Sequence, residues 1–167
     1  MIKLYKIGEN IMLHITWKKL SESAKVPDRK HDDDAGYDLY SPVDRVIDPH
    51  RFITIDTNIA AQGVLDMNSA KSYLVSAKIE GCSGNAKNKG IGVLGGRWDQ
   101  GYQGDIGVVL VNNSEERIVI HKGDKIAQMV WQIIPKTAVD KVLDKDTPFV
   151  DTTDRGEDGF GSTGGVK

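Results

Sequence analysis

Short β-branched runs separated by turn residues constrain the fold of this chain more than any other feature. The runs either alternate apolar and polar residues or are mostly apolar, and the polar cluster at 112–116 separates two of them. Strands that recur about every 8–12 residues are typical of antiparallel sandwiches and barrels rather than βαβ units. We therefore predict an all-β fold. The runs are residues 52–55, 73–79, 106–111, 117–120 and 125–134.

Helical periodicity is nearly absent, and residues 65–71 form the one stretch that predicts a short helix. Most of the eighteen glycines lie in residues 81–107 and 156–165, where they end strands or form loops close to a ligand. Residues 151–167 contain too few aliphatic side chains to pack a core of their own. We predict a β-barrel domain over residues 1–150 and a flexible glycine-rich arm over residues 151–167.

Charge and cysteine content exclude several classes of protein. The formal net charge of −2 provides no global field that would attract nucleic acid. A single cysteine excludes a disulfide framework and a cysteine-rich zinc site. No apolar stretch reaches the roughly 20 residues that span a bilayer. We expect a cytoplasmic protein, or one of the host cytoplasm if the source is viral, that binds neither membranes nor nucleic acid directly.

Five short segments carry side chains suited to phosphate or nucleotide chemistry. The second combines Ser83 and two lysines with a glycine-rich turn, whose backbone N–H groups and cations suit an anion. The third places Asp99 three residues before Tyr102, which suits a general base beside an aromatic platform. Each segment alone also permits a structural interpretation, such as a strand entry, a plain loop or a flexible terminus. The segments are residues 34–39, 81–90, 95–105, 123–129 and 155–164.

The order and spacing of these segments resemble the five motifs of the trimeric dUTPases, the deoxyuridine triphosphatases. The resemblance implies a distorted jelly-roll or β-barrel subunit with a mobile C-terminal arm, and a homotrimer with active sites between subunits. It also implies Mg²⁺-assisted hydrolysis of dUTP to dUMP and pyrophosphate, which keeps uracil out of DNA and supplies dUMP. The matching residues are DAGYDL at 34–39, Ser83-Gly84 with Gly90-Ile91, Asp99 with Tyr102 and Gly104, GDKIAQ at 123–128, and RGEDGFGSTG at 155–164.

The resemblance further implies a role for each motif residue. Asp99 would activate the water that attacks the α-phosphate, and Asp38 would order the site and the water shell of Mg²⁺. Tyr102 would pack on the deoxyribose. Mg²⁺ would be held mainly by substrate phosphates and waters, so no protein metal ligands are assigned. The remaining contacts would come from Ser83, Gly84 and Gln128 on the phosphates, and from Arg155, Phe160, Gly161, Ser162 and Thr163 in a lid with Phe160 stacked on uracil.

Three places depart from the family's usual pattern. Cys82 stands where the second motif usually has an arginine, and Asn85 stands where it usually has an aliphatic residue. Arg97-Trp98 replaces the small aliphatic residues that usually precede the aspartate of the third motif. One hypothesis is that Lys87 or Lys89 supplies the missing positive charge of the second motif.

Two alternatives to hydrolysis remain open. A dCTP deaminase shares the scaffold, but its arginine-rich Arg-Ser-Ser segment is not evident at residues 82–84. A nucleotide-sensing trimer would bind dUTP and use it to control a regulatory protein partner. Loss of Asp99 would have favoured sensing, whereas its presence, together with Phe160, favours hydrolysis.

Overall fold

The structure is a computed structural model that describes residues 12–66, 72–139 and 142–147. The chain divides into two compact units, Met1–Lys136 and Thr137–Lys167. In the second unit, the described residues include a turn in which the Thr147 N–H donates to the Asp144 carbonyl at 2.9 Å. The described part contains no helix that is long and apolar enough to cross a membrane.

The first unit is built almost entirely of antiparallel strands, which confirms the prediction of an all-β fold. Its strands form a four-stranded sheet in the order β2-β11-β6-β8, a three-stranded sheet β4-β9-β7, and the pairs β1-β5 and β3-β10. The elements are β1 Met12–Lys19, β2 Tyr37–Tyr40, β3 Arg45–Ile47, β4 Phe52–Asp56, β5 Ile59–Asp66, β6 Tyr73–Glu80, α1 Ser83–Lys89, β7 Ile91–Leu94, β8 Arg97–Asp99, β9 Gly107–Asn112, β10 Ile118–Ile120 and β11 Lys125–Pro135.

Alternating burial along the strands builds one hydrophobic core, because successive strand residues point to opposite faces. In β9, Val108 and Leu110 point inward together with Asn112, which is fully buried. The Asn112 amide donates to the carbonyls of Ile47 and Glu116, so this buried polar group is satisfied and joins β9 to the β3–β10 pair.

Aromatic rings fill the part of the core beneath the four-stranded sheet. Trp98 is only 3% exposed and packs edge-to-face on Trp131, with ring centroids 4.9 Å apart, and Trp131 packs in turn on Trp17. Among the described residues, the buried indole N–H groups of Trp98 and Trp131 find no acceptor. Ring packing therefore holds Trp98, and this side chain belongs to the core and not to a recognition surface.

The helix predicted at residues 65–71 is wrong at its start, because Leu65 and Asp66 are the last residues of β5. Residues 67–71 lie outside the described part of the chain. A seven-residue helix, α1, forms instead at 83–89, where the sequence suggested a glycine-rich loop. It ends at Gly90, whose φ of 68° is the left-handed conformation that glycine adopts easily. None of its residues is buried, so it has no apolar stripe that could predict it.

Candidate active site

One face of the four-stranded sheet carries several of the polar residues singled out in the sequence. Asp38 lies opposite Gln128, and Ser76 lies opposite both Gln132 and Asp99. Paired residues project their side chains to the same face, and so do residues two apart along one strand. The neighbouring residues point the other way, into the core. The sheet therefore presents Asp38, Gln128 and Asp99 on its outer face.

Asp38 and Asp99 nevertheless lie far apart within one chain. Asp38 is on β2 and Asp99 on β8, which are the two edge strands of the sheet. Three strand spacings, about 14 Å, separate them across the sheet, and a four-residue offset along β11, from Gln128 to Gln132, adds about 13 Å along the strands. A single chain thus holds these two carboxylates on one surface without bringing them together.

A β-bulge brings Lys125 onto the outer face beside Asp38. Lys125 pairs with Tyr40 and Ala127 pairs with Leu39, so Ile126 is an extra residue in β11. Without the bulge, Lys125 and Gln128 would point to opposite faces because they are three residues apart. The Lys125 Nζ lies 3.0 Å from Asp38 Oδ2, and this hydrogen bond raises the pKa of the lysine. Lys125 therefore keeps its positive charge next to Gln128.

Gly36 allows the DAGYDL segment to approach Gln128 closely. A Cβ atom at this position would lie 3.2 Å from Cβ and Oε1 of Gln128 and from Cγ2 of Val130. Contacts this short would force a neighbour to shift. The glycine of the first motif thus helps to set the position of the Gln128 side chain.

The helix α1 is joined to the bulged end of β11. The Asn85 side-chain amide donates to the Lys125 carbonyl at 3.0 Å, across 40 residues of sequence. Cys82 immediately precedes α1 and is buried, and burial raises the pKa of its thiol, with the Lys125 charge acting in the opposite direction. Ser83 and Gly84 are exposed at the start of the helix. This arrangement presents Ser83 at the same end of the sheet as Lys125.

The lysines proposed to replace the missing arginine lie at the other end of α1. Lys87 and Lys89 are in its last turn and line a cavity of about 450 Å³ together with Arg117 and Ser114. Lys125, by contrast, acts electrostatically on Cys82, the residue that stands in place of the arginine.

A tight turn at the end of β8 joins Asp99 to Tyr102. The Tyr102 N–H donates to the Asp99 carbonyl at 2.9 Å, and the Tyr102 hydroxyl donates to the Asp105 carbonyl at 2.7 Å. A Cβ at Gly104 would lie 2.6 Å from that hydroxyl, so only glycine leaves the ring in place. The exposed residue Asp99 and Tyr102 both line a cavity of about 270 Å³.

Asp105 supports this turn from below. Its carboxylate accepts hydrogen bonds from the backbone N–H groups of Asn58 and Ile59. Burial, and to a lesser extent the nearby charge of Asp56, raises the pKa of Asp105, while those hydrogen bonds oppose the shift. The turn that carries Asp99 is thus anchored to the start of β5.

Comparisons with known proteins identify the family. The dUTPase family model matches residues 22–164 of this chain. The deoxyuridine 5'-triphosphate nucleotidohydrolase of Clostridium tetani is 40% identical over 149 residues, which cover 88% of this chain and 94% of that protein. This chain belongs to the dUTPase family.

Two solved dUTPases share the fold. The dUTPase of Staphylococcus bacteriophage 80alpha with dUPNHPP has a TM-score of 0.69 and 26% sequence identity, and the match covers 90% of this chain and 98% of that one. A mutant dUTPase from phage phi11 of S. aureus, which coordinates a structural Mg(II) ion, has a TM-score of 0.67 and 23% identity over 80% of this chain and 99% of its own.

The structure describes six of the eleven candidate site residues singled out in the dUTPase motifs, and these fall into two groups. Asp38, Ser83, Gly84 and Gln128 belong to the β2–β11 end of the sheet, whereas Asp99 and Tyr102 lie at its other edge. The lid residues lie outside the described part of the chain; they are Arg155, Phe160, Gly161, Ser162 and Thr163.

Sequence reasoning missed three side chains that organise these groups. Lys125 is within the fourth motif, but its pairing with Asp38 depends on a bulge that alternation does not reveal. Asn85 and Arg97 were visible only as departures from the dUTPase pattern. Within the described residues, no group of three or more His, Cys, Asp or Glu side chains is arranged to hold a metal ion.

Proposed function

We propose that this chain hydrolyses dUTP to dUMP and pyrophosphate, and so keeps uracil out of DNA and supplies dUMP. The observation that carries the proposal is the turn at residues 99–105, where an exposed carboxylate and an aromatic ring line the same cavity. Membership of the dUTPase family supports the substrate, as does the dUTP nucleotidohydrolase activity for which the C. tetani relative is named.

Asp99 is the proposed general base. Its exposed carboxylate orients a water molecule and accepts a proton from it as the water oxygen attacks the α-phosphorus. The bond from the α-phosphorus to the bridging oxygen breaks, and pyrophosphate leaves. Because such transfers depend mainly on positioning and charge stabilisation, the fixed turn that carries Asp99 matters as much as the carboxylate itself.

The β2–β11 end of the sheet is the proposed triphosphate site. The Ser83 hydroxyl, the Gly84 backbone N–H and the Gln128 amide can each donate to phosphate oxygens, and the Lys125 ammonium adds positive charge beside them. Asp38 balances that charge before substrate binds, through its 3.0 Å contact with Lys125. The site thus combines hydrogen-bond donors with a positioned cation.

Base and sugar recognition is assigned to the edge turn and the arm. The Tyr102 ring packs on the deoxyribose face and leaves no room for a ribose 2'-hydroxyl. Backbone groups of residues 95–105 read the uracil edge. In the arm at residues 151–167, which closes on the domain at residues 1–150, Phe160 stacks on uracil; the γ-phosphate is contacted by Arg155, Ser162 and Thr163, with Gly161 allowing the close approach.

A homotrimer brings the two groups of residues together. Since Asp99 lies three strands across the sheet and four residues along it from Asp38 of its own chain, the geometry favours a site in which Asp99 of one subunit faces Ser83 and Gln128 of another. The active sites then lie between subunits.

Mg²⁺ is the proposed cofactor, and the donors present fit a metal held largely by substrate. Mg²⁺ prefers phosphate oxygens and waters to an all-protein cage, and Asp38, a carboxylate directly opposite Gln128, is already paired with a lysine. Asp38 would accept hydrogen bonds from metal-bound waters. The ion would neutralise charge on the triphosphate when bound.

A substrate panel tests the proposed function. The protein and its Asp99→Asn variant are incubated with Mg²⁺ and with dUTP, dTTP, dCTP or UTP, and pyrophosphate, nucleotide products and ammonia are followed. We expect selective conversion of dUTP to dUMP by the native protein and a loss of roughly 10²–10⁴-fold in the variant, the usual contribution of a general base. Ammonia release from dCTP, or tight dUTP binding without turnover, would contradict hydrolysis and favour deamination or sensing.

A further inference from the structure

Arg97 joins three strands on the outer face of the sheet. Its Nη1 atom donates to Gln132 Oε1 at 2.7 Å and to Ser76 Oγ at 3.3 Å. Arg97 is on β8, Ser76 on β6 and Gln132 on β11. The side chain therefore links the edge strand to the second strand inward, across the strand between them.

The two acceptors lie in the same row of the sheet as Asp99. Ser76 is directly opposite both Gln132 and Asp99, and Arg97 projects to the same face as Asp99 because the two residues are two apart on β8. The guanidinium thus contacts two of the three paired residues Gln132, Ser76 and Asp99, which lie side by side on neighbouring strands. Ser76 is only 5% exposed, and its hydroxyl donates at 2.8 Å to the Trp98 carbonyl, the backbone group just before Asp99.

Apart from the Arg97 contacts, all of the hydrogen bonds described for β8 and its ends lead to β6 or to its own turn, including one from the Val75 N–H to Gln100 Oε1 at 3.0 Å. The strand β8 is three residues long, and among the described strands it pairs only with β6. Trp98 anchors it to the core from the inner face, while Arg97 bonds it from the outer face. Short edge strands with few backbone hydrogen bonds open more readily than central strands.

We propose that Arg97, with Gln132 as its acceptor on β11, is a positioning residue that holds the end of β8 so that Asp99 can orient the attacking water. This inference rests on the proposed function. It also gives a role to a residue that stands where the family usually has a small aliphatic side chain. An error of about 1 Å in the placement of a catalytic group can cost up to a hundredfold in rate, so a loosened β8 lowers turnover more than binding.

The test compares Arg97→Leu, Arg97→Lys and Gln132→Leu with the native protein. Lys78→Leu is the matched control, because Lys78 lies directly opposite Arg97 on the same face but pairs with Glu80 instead. For each variant kcat and KM for dUTP are measured. Without nucleotide, amide hydrogen exchange is followed for residues 97–101, with the melting temperature as a check on folding.

For Arg97→Leu we expect kcat to fall about tenfold with KM within twofold, together with faster exchange at residues 97–101. Gln132→Leu shifts both quantities in the same direction by a smaller factor, and adding it to Arg97→Leu causes little further loss, because both changes break one contact. Arg97→Lys, which keeps the charge but loses the planar fork, recovers only part of kcat. Lys78→Leu leaves kcat and exchange unchanged.

Native kcat and exchange in Arg97→Leu would overturn the proposal. So would a native Gln132→Leu together with full recovery by Arg97→Lys, since the charge alone would then suffice. The exchange measurement separates this inference from the proposed function: a native protein that hydrolyses no dUTP would refute the latter, while the contact itself would still be judged by exchange at residues 97–101.

Discussion

Two parts of the four-stranded sheet and its turns carry the residues of the proposed site, and they are held in different ways. In the ladder half, residues 37–40 of β2 and 125–128 of β11, backbone hydrogen bonds between paired strands set the positions of Asp38 and Gln128. In the edge half, residues 97–105, a three-residue strand and a turn hold Asp99 and Tyr102 through side-chain contacts and one close glycine. Substitutions in the edge half should therefore disturb function more, for a given loss of stability.

Apart from loss of the proposed base Asp99, the largest expected effect is at Gly104, in the edge half. Gly104→Ala places a methyl group where the Tyr102 hydroxyl lies, so the ring must move. We expect the ratio of kcat/KM for dUTP over UTP to fall about tenfold, because a displaced ring no longer excludes the ribose hydroxyl. Steady-state kinetics with both nucleotides measures the ratio.

Gly101→Ala is the control for this change. It lies in the same turn, but a Cβ there meets no atom within 4 Å. Its selectivity should stay native. Equal losses in the two variants would show that the turn responds to any added methyl group and that Tyr102 is not the cause.

A smaller effect is expected at Asn85, which ties α1 to the ladder half. Asn85→Leu restores the aliphatic residue usual in the family and removes the hydrogen bond to the Lys125 carbonyl. A net loss of about 1 kcal/mol corresponds to roughly a fivefold rise in KM for dUTP, with kcat nearly native, since the change affects the proposed phosphate contact of Ser83 and leaves Asp99 untouched. Asn88→Leu, an exposed change in the same helix, should leave KM native. A fall in kcat at constant KM would contradict the assignment of α1 to binding.

The smallest effect concerns pH and Asp105, below the edge turn. Its pKa is raised in the folded state, chiefly by burial, so the folded protein binds this proton more tightly than the unfolded chain. The stability linked to this proton is present at low pH and is lost as pH rises through the folded pKa. The melting temperature of Asp105→Asn, measured relative to the native protein, should therefore rise as the pH is increased from 4 to 7.

Asp56→Asn removes the like charge beside Asp105 and should show a weaker trend of the same sign. If the melting temperature of Asp105→Asn relative to the native protein instead falls as the pH is increased from 4 to 7, the ionised carboxylate stabilises the turn.

The contrast between the halves also explains what could be predicted from sequence. The strands were predictable because alternation along residues such as 107–112 reports directly on a backbone ladder with one buried face. The motif spacing identified Asp38, Gln128, Asp99 and Tyr102 as candidates, although their roles stay predictions. The separation of Asp38 and Asp99 on two edge strands depends on strand order, which short-range patterns do not encode.

The features that escaped prediction depend on individual side chains. Residues 83–89 form a helix without a buried residue, so no apolar stripe indicates it. The extra residue Ile126 turns the Lys125 side chain to the outer face of the sheet. A bulge of this kind has no clear signature in alternating apolar residues. The contact between Arg97 and Gln132 spans 35 residues and two strand pairings. It follows from register, which sequence alone leaves open.

The central claim is that the two halves work together across a subunit boundary, and mixing two inactive variants tests it most directly. Asp99→Asn lacks the proposed base of the edge half, and Gln128→Leu lacks the proposed phosphate contact of the ladder half. When the two are co-assembled in equal amounts, a site is intact where a Gln128→Leu subunit supplies the edge half and an Asp99→Asn subunit supplies the ladder half. Random assembly gives this combination at about one quarter of the sites, so dUTP hydrolysis should return to about one quarter of the native rate. A mixture no more active than the variants alone, or a fully active native monomer in sedimentation, would contradict a site shared between subunits.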